Sequence, residues 1–268
     1  METNVNNEEL NHLEKDYGFV VVHVPHASTN IPDEYRETIL LDDNRLNREI
    51  RRMTDAFCDD LYDAPGFQNR LIATYSRFVC DVERFRDDRM EKQAKVGQGL
   101  MYTHTLYKRK LRNYDEKLRK KIVNEIYDPH HEKLTNMVDD ALVKYGKCLI
   151  IDGHSFPSRL YIRPNCVFFV PDIDIGTDDY HTPSGLRDVL VKKVKNLGLK
   201  VKVNSPFAGA ITPMKHYGQD KRVFSVMFEV NRKLYMNEKT MTKSSGFDQT
   251  REICHTLMCL AAEYVDNL

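Results

Sequence analysis

The sequence predicts an α/β protein, a three-layer α/β/α sandwich with a mixed central sheet. Short runs of apolar and β-branched residues recur along the 268 residues. These runs are continuously apolar instead of alternating with polar residues, which is typical of strands that are covered on both faces. Charged stretches with helical spacing lie between the runs. Strands that alternate with helices in this way favour a sheet sandwiched between two helical layers.

Seven strands are predicted from the apolar runs. They span residues 19–24, 70–75, 77–82, 148–151, 166–170, 200–203 and 224–230. The fourth run is short and wholly apolar, and it gives way abruptly to Asp152, Gly153 and His154. An acid, a flexible residue and an imidazole at the end of a buried strand indicate a functional position.

Four helical regions are predicted between and after the strands. They span residues 46–62, residues 106–145, a segment that starts near Thr182, and residues 247–265. Pro129, which follows Asp128, is expected to break or kink the second region because proline lacks a backbone N–H. In the third region Thr182 or Ser184 is expected to cap the helix, and a proline between them is tolerated in the first turn.

The chain is expected to form one single domain at 17–268 after a polar segment at 1–16. With 41% apolar residues, it can build one sizeable core. Its first ten residues are polar and acidic, so a secretory signal is not expected. No apolar run approaches the roughly 18 residues of a membrane span. A cytoplasmic protein that does not bind membranes is therefore predicted.

The charge balance does not favour a nucleic-acid partner. Basic and acidic residues number 40 each, and the pI is near 7.1. The basic stretch at 108–121 could form a nucleic-acid surface, but its interleaved acids and helical spacing favour a solvated helix face. Six cysteines are scattered without a CxxC pair. They are expected to be reduced core thiols, not a zinc cluster or a disulfide framework.

Polar residues at the predicted strand ends suggest a metal site. Ligands of such folds collect at the carboxyl ends of the strands. His26 follows the first strand, His154 follows the fourth, and Glu229 lies in the last. Two histidines and a carboxylate can hold a zinc ion with one position open for water, and a nearby carboxylate can take the proton of that water.

Each of these residues also has a structural interpretation. A single histidine after a strand more often makes a hydrogen bond than binds a metal. Glu229 could face solvent on an edge strand, and Asp152 could cap a turn. Arg84 could simply pair with a neighbouring aspartate. Three further histidines are interpreted as structural, namely His23, His130 and His131.

Seven stretches of the chain, taken together, resemble one family. They are VPHASTNIP, MTDAFCDDLY, YSRFVCDVERF, IIDGHSFPS, PDIDIGTDDYHTP, NSPFAGAITPMKHYG and VMFEVNRKLYM. From Phe19 to Met236 the chain is similar to the N-formylglutamate amidohydrolase family, which is itself similar to zinc carboxypeptidases and to succinylglutamate desuccinylase and aspartoacylase. The resemblance implies a phosphorylase/hydrolase-like fold. It also implies a zinc-dependent amidohydrolase that releases an acyl group, such as formate, from the nitrogen of an acidic amino acid.

The resemblance also implies roles for individual residues. His26 and His154 become ligands of one zinc ion, and Glu229 becomes the general base. Arg84 would hold a substrate carboxylate by a bidentate pair. Carboxypeptidase-like sites carry a glutamate three residues after the first histidine, but Thr29 stands there. The third ligand must then come from elsewhere, and Asp55 is the candidate because the stretch Met53, Thr54, Asp55 is similar to that of the family.

Four further residues are expected to line the substrate pocket, namely Asp178, His181, Gly209 and Tyr217. Glu83 departs from the family pattern, because relatives carry asparagine there. A carboxylate beside the proposed clamp could repel an acidic substrate. The expected partner is a small N-acyl amino acid, and the expected assembly is a monomer or a small homo-oligomer.

Two other functions remain open on the sequence. One is a carboxypeptidase-like peptidase or an amidase acting on cell-wall fragments. The other is a binding module for an acidic metabolite with a degenerate site. The presence of His26, His154 and Glu229 argues against the second, because a binding module does not need a general base.

Overall fold

The computed structural model describes residues 15–159 and 170–268, and a six-stranded mixed sheet forms the centre of this part of the chain. The sheet order is β2-β1-β3-β6-β4-β5. The strands are β1 (Val20–Val24), β2 (Arg70–Ile72), β3 (Cys148–Phe156), β4 (Ile173–Gly176), β5 (Val201–Val203) and β6 (Val223–Asn231). Four neighbouring strands run parallel to one another, namely β2, β1, β3 and β6, and β4 pairs antiparallel to β6. A separate small sheet pairs β7 (Met236–Asn237) with β8 (Thr242–Lys243).

Helices cover both faces of the sheet and so confirm the predicted three layers. The α-helices are α1 (Asp33–Arg36), α2 (Asp43–Met53), α3 (Cys58–Leu61), α4 (Glu116–Ile122), α5 (Asp128–Tyr145), α6 (Ser184–Asn196) and α7 (Phe247–Asp266). Val22 and Ile151 belong to a core that includes residues of α3, α6 and α7. Val21 and Ile150 point the other way into a core with α5. This alternation follows from the two-residue period of a strand.

Several predicted strands differ from the observed ones. Residues 77–82 form turns: the N–H groups of Val79 and Cys80 both donate to the Ser76 carbonyl, which satisfies backbone groups that a strand would pair. The strand β3 does not stop at Ile151 but continues to Phe156. β4 was not predicted. The predicted strand 166–170, except for its last residue, lies outside the described residues, as does nearly all of the polar segment 1–16.

The predicted helix 46–62 is divided in two. α2 begins earlier, where the Asp42 side chain accepts a hydrogen bond from the Arg45 N–H at 2.8 Å. It ends at Met53, because the Asp55 N–H donates to the His26 carbonyl at 2.9 Å instead of continuing the helix. This interruption places Asp55 beside the residue that follows β1.

The predicted helix 106–145 begins only at Glu116, after the cap Asp115, and it is interrupted immediately before Asp128 and Pro129, where a break or kink was expected. A π-helical turn, Val123–Tyr127, joins α4 to α5, and the Asp128 N–H bonds to the Val123 carbonyl across the wider turn. Pro129 then lies in the first turn of α5, where a missing N–H costs little.

The predicted caps of α6 are also wrong, whereas the closing helix is confirmed. Pro183 precedes α6 without a side-chain cap. The Thr182 hydroxyl instead donates to the Ser225 carbonyl at 2.6 Å. α7 runs from Phe247 to Asp266, close to the predicted 247–265.

Two findings bear on the expected environment of the protein. Among the described residues, no helix is both long and apolar enough to cross a membrane. The described cysteines are free and buried, as expected for core thiols; they are Cys58, Cys80, Cys148, Cys254 and Cys259.

His131 on α5 should make stability depend on pH. Its Nε2 lies 2.8 Å from the Val82 carbonyl, and burial lowers the pKa of its imidazole from 6.5 to about 4. In the unfolded chain the pKa returns to about 6.5. Between these two pKa values the unfolded state binds more protons, so the free energy of unfolding falls as the pH falls. Between pH 7 and pH 5, we expect the free energy of unfolding of His131→Gln to fall by roughly 1–2 kcal/mol less than that of the wild type. Urea denaturation at the two pH values measures both changes. Equal losses in the two proteins would contradict this assignment.

Candidate metal centre and active site

The predicted site residues meet in one cleft at the carboxyl ends of the parallel strands. His26 follows the end of β1 by two residues. His154 and Glu229 lie within β3 and β6, where they are paired directly across the two strands. His26, His154 and Glu229 all line the cleft. β3 therefore carries His154 itself, instead of ending before it as the sequence suggested, whereas Glu229 lies inside its strand as predicted.

Gly153 has a packing reason to be glycine. A Cβ at this position would come within 2.5 Å of a ring carbon of Tyr62. The Tyr62 hydroxyl donates to the carbonyls of His154, at 3.0 Å, and Phe228, at 2.9 Å. The ring of Tyr62 therefore lies flat against β3 and holds the backbone segments that carry His154 and Glu229.

His26, His154 and Asp55 form a buried triangle of potential metal ligands. The two Nδ1 atoms lie 3.3 Å apart, and the Asp55 Oδ2 lies 3.1 Å from the His154 Nδ1 and 3.7 Å from the His26 Nδ1. Three ligands of a tetrahedral zinc ion, each about 2.0–2.2 Å from the metal, stand about 3.3–3.6 Å apart. The three residues therefore fit a zinc ion, and the same donors suit other divalent transition metals.

Further charged groups orient each member of this triangle. The His26 Nε2 lies 2.9 Å from Asp81 Oδ1, and the His154 Nε2 lies 3.2 Å from Asp152 Oδ1. Asp55 Oδ1 accepts a hydrogen bond from Arg232 at 2.9 Å. Carboxylates behind ligating histidines fix the orientation and tautomer of the ring. The sequence analysis assigned no role to Asp81 or Arg232, and it treated Asp152 only as part of a functional strand end or as a turn cap.

Asp81 remains ionised although it is fully buried. Burial raises its pKa, but the guanidinium group of Arg77, followed by that of Arg84, holds the pKa well below its ordinary value. Arg77 donates to Asp81 Oδ2 at 2.8 Å, and the Tyr102 hydroxyl donates to the same oxygen at 2.6 Å. The carboxylate that faces His26 is therefore a fixed negative charge.

Asp152 connects the triangle to α5. Its Oδ1 lies 2.9 Å from the His23 Nδ1, and its Oδ2 accepts a hydrogen bond from the Ile211 N–H at 3.2 Å. The His23 Nε2 lies 2.9 Å from the His130 Nε2. Asp152 is thus a buried partner of histidines inside β3, and its interpretation as a turn cap is wrong.

Glu229 is enclosed beside His154. Only 6% of the residue is exposed, and its Oε2 has no hydrogen-bond partner among the described residues. Burial raises the pKa of its carboxyl group well above the ordinary value, although nearby His154 opposes the shift. β6 lies between β3 and β4, so the interpretation of Glu229 as a solvent-facing residue on an edge strand is wrong. A buried carboxyl group with a raised pKa holds a proton more readily than an exposed one, which suits a group that takes up a proton and passes it on.

Arg84 lies at the cleft with its guanidinium group partly engaged. Its Nε donates to the Gln98 carbonyl at 3.2 Å, and its Nη2 lies 3.4 Å from both Asp81 Oδ2 and the Tyr102 hydroxyl. The Arg84 side chain is 20% exposed, so its guanidinium group can still contact a substrate.

The four predicted pocket residues are placed differently from one another. Gly209, Tyr217 and Asp178 line the cleft. Gly209 has a φ of +96°, which favours glycine, and Tyr217 is 42% exposed. Asp178 uses its Oδ1 to accept the N–H groups of Tyr180 and His181.

His181 is instead held by the backbone. It is 1% exposed, its Nδ1 lies 2.7 Å from the Val223 carbonyl, and its Nε2 accepts the Gly218 N–H at 2.8 Å. Its ring stacks on Tyr217 with centroids 5.9 Å apart. This geometry indicates that His181 supports the segment around Tyr217. A direct contact between His181 and the substrate stays a prediction.

Glu83 reaches the two histidines of the triangle, whereas the sequence analysis placed it only beside the proposed Arg84 clamp. Its Oε1 lies 3.2 Å from the His154 Nε2 and its Oε2 lies 3.7 Å from the His26 Nδ1. The signal that could have found it is its position two residues after Asp81, on a segment that folds as a turn toward the site.

Comparisons with known proteins place the chain in a family. The family model described as N-formylglutamate amidohydrolase matches residues 19–236. A curated N-formylglutamate deformylase of Pseudomonas putida is 28% identical over 234 residues, which cover 82% of each chain.

Two solved structures share the fold. The crystal structure of an N-formylglutamate amidohydrolase from Ralstonia eutropha JMP134 has a TM-score of 0.78 at 22% identity and covers 95% of this chain and 96% of that one. A gene product of Agrobacterium tumefaciens has a TM-score of 0.66 at 19% identity and covers 92% of this chain and 90% of that one.

Proposed function

Because the chain belongs to the N-formylglutamate amidohydrolase family, we propose that it is a metal-dependent hydrolase that cleaves the amide bond of an N-acyl amino acid. The names of its relatives make N-formyl-L-glutamate the first substrate to consider. The observation that carries the proposal is the buried triangle of His26, Asp55 and His154 beside Glu229, which has a free carboxyl oxygen. A metal-dependent amide hydrolase uses this combination of a metal-binding donor set and a proton carrier.

Zinc is the proposed ion, with one ion per chain held by His26, Asp55 and His154. When bound there, it would supply an acidic water molecule and polarise the carbonyl group of the substrate. Asp81 lies within hydrogen-bond distance of the His26 imidazole and Asp152 lies 3.2 Å from the His154 Nε2, while both Nδ1 atoms lie near Asp55. The donor atoms are therefore already positioned before the ion binds.

Glu229 is proposed as the proton carrier of the hydrolysis. Its free Oε2 takes a proton from the attacking water, and the water oxygen forms a bond to the amide carbon. When the carbon–nitrogen bond breaks, Glu229 gives the proton to the departing nitrogen. The products are the carboxylic acid, formate for a formyl group, and the free amino acid.

Substrate turnover tests the proposed function. Tag-free protein loaded with zinc is incubated with N-formyl-L-glutamate, and formate release is followed with and without a chelator. We expect turnover that is lost with the chelator and restored by zinc. Short peptides and cell-wall fragments serve as competing substrates, and their selective hydrolysis would replace this proposal with a peptidase or cell-wall amidase. Binding of N-formylglutamate without turnover would indicate a degenerate binding module.

Arg84 is proposed to hold a carboxylate of the substrate. We expect Arg84→Ala to raise the KM for N-formyl-L-glutamate by about 10–100-fold, because one charged hydrogen-bonded pair contributes about 1.5–3 kcal/mol. An N-formyl amino acid amide without carboxylates should be affected much less.

Arg86→Ala is the matched control, because Arg86 also lines the cleft but pairs with Asp128 at 2.8 Å. Equal losses on the charged and the neutral substrate would argue against the clamp and for a purely structural role of Arg84 beside Asp81.

A further inference from the structure

We infer that the cleft accepts an N-acylated acidic peptide, whose carboxylates beyond the first residue are bound by Arg48 and Arg51 on α2. The inference rests on the proposed function and deepens it, because the same centre would hydrolyse the terminal amide of this longer substrate. Water is added across that amide bond, so the acyl group leaves as a carboxylic acid and the peptide leaves with a free amino terminus. Neither arginine takes part in the bond changes.

The cleft has room for more than one amino acid. Its volume is about 2120 Å³, whereas sites for small molecules typically enclose about 300–1,000 Å³. The lining extends from the metal-binding triangle to a face of α2 that carries Arg48 and Arg51, and both of these arginines are exposed. A substrate that fills only the space at the triangle would leave this face of α2 uncovered.

The last turn of α2 is tied to the proposed metal centre. The Arg232 Nη2 donates to Asp55 Oδ1 at 2.9 Å, and the Arg232 Nη1 donates to the Arg52 carbonyl at 2.8 Å. Arg51 immediately precedes Arg52, and Arg48 lies four residues before it, or about 6 Å along the helix axis. A peptide residue spans at most about 3.3–3.6 Å, so a few residues can reach from the centre to this turn.

Arg48 and Arg51 have no charged partner among the described residues, whereas Arg52 has one. Arg52 pairs with Glu49 at 2.8 Å, and its guanidinium carbon lies 4.9 Å from the centroid of the Tyr107 ring. Residues three and four apart share one face of a helix, so Arg48 neighbours both Arg51 and Arg52. Like charges at this spacing destabilise a helix. A carboxylate bound between Arg48 and Arg51 would relieve this repulsion.

A chain of carboxylates matches this series of cations. Guanidinium groups bind carboxylates through two parallel hydrogen bonds, which favours them over other cations for this purpose. The proposed clamp Arg84 would hold the carboxylate nearest to the hydrolysed amide. Arg48 and Arg51 would then hold the carboxylates that follow along the peptide.

Turnover of three substrates tests the inference. The zinc-loaded protein is given N-formyl-L-glutamate, N-formyl-Glu-Gly-Gly and N-formyl-Glu-Glu-Glu, and formate release is followed at low and high salt. The double variant Arg48→Gln, Arg51→Gln should lower kcat/KM for the triglutamate by roughly 3–30-fold, as the loss of two solvent-exposed charge pairs allows. The other two substrates should be nearly unaffected. High salt should weaken the preference of the wild type for the triglutamate, because exposed charges are screened.

Arg45→Gln is the matched control. Arg45 is an exposed arginine of the same helix, but it pairs with Asp42 at 3.1 Å and lies outside the cleft lining. We expect this variant to behave like the wild type on all three substrates, and a selective loss on the triglutamate here would refute the assignment to Arg48 and Arg51.

The remaining outcomes separate the inference from the proposed function. If N-formyl-L-glutamate is hydrolysed but the triglutamate is not, the inference is overturned and the proposed function stands. The same holds if the double variant loses equal activity on all three substrates, or none on the triglutamate. A wild type that releases formate from none of the three overturns both.

Discussion

Glu229→Gln is expected to lower kcat by about 10²–10⁴-fold, the usual effect of losing a general acid–base group. Glutamine has nearly the same size, but it cannot take the proton of the attacking water or return one to the leaving nitrogen. Glu229 is buried beside His154, and its Oε2 has no partner among the described residues, so few other interactions change with the substitution. The KM should therefore change little.

The measurement compares formate release and zinc content in the same preparations. Glu229→Gln should keep the zinc content of the wild type, because Glu229 is not part of the ligand triangle. Glu132→Gln, with an exposed cleft carboxylate changed in the same way, should behave like the wild type. Normal turnover in Glu229→Gln would refute its role as proton carrier and would direct attention to Glu83 as the remaining cleft carboxylate near the histidines.

The sequence alone predicted the centre of the site because its residues are tied to strands. His26 follows an apolar run, and His154 and Glu229 lie in or beside two others, so the rule that ligands collect at carboxyl ends brought them together. Asp55 needed the family resemblance. Its position depends on the end of α2 and on a backbone hydrogen bond to His26, which no local pattern reports.

The supporting charges could not be predicted in the same way. Residues 77–82 are as apolar as a strand, yet they fold as a turn, and that turn aims Asp81 and Glu83 at the two histidines. Asp152 was visible as an acid after a strand, but its partners His23 and His130 come from other elements. Such contacts arise from tertiary packing between segments far apart in sequence, so composition and periodicity do not contain them.

His154→Ala is expected to abolish both metal binding and turnover. The substitution removes the Nδ1 atom that lies within 3.3 Å of both the His26 Nδ1 and the Asp55 Oδ2. Two protein donors of the triangle then remain, and the zinc affinity should fall by more than the roughly 10–100-fold caused by losing a residue that only orients a ligand. Zinc content is measured by mass spectrometry on tag-free protein incubated with zinc.

His216→Ala separates loss of a ligand from general damage to the fold. His216 is also a buried histidine beside a carboxylate, with its Nε2 2.9 Å from Asp139, but it does not line the cleft. We expect near one zinc ion per chain in the wild type and in His216→Ala, and almost none in His154→Ala. Equal zinc in all three proteins would remove His154 from the centre. An absence of zinc from the wild type would instead leave Asp152, Gly153 and His154 as a packed strand segment. Glu229 would then have no activated water to deprotonate, so a degenerate binding module would be the better description of the protein.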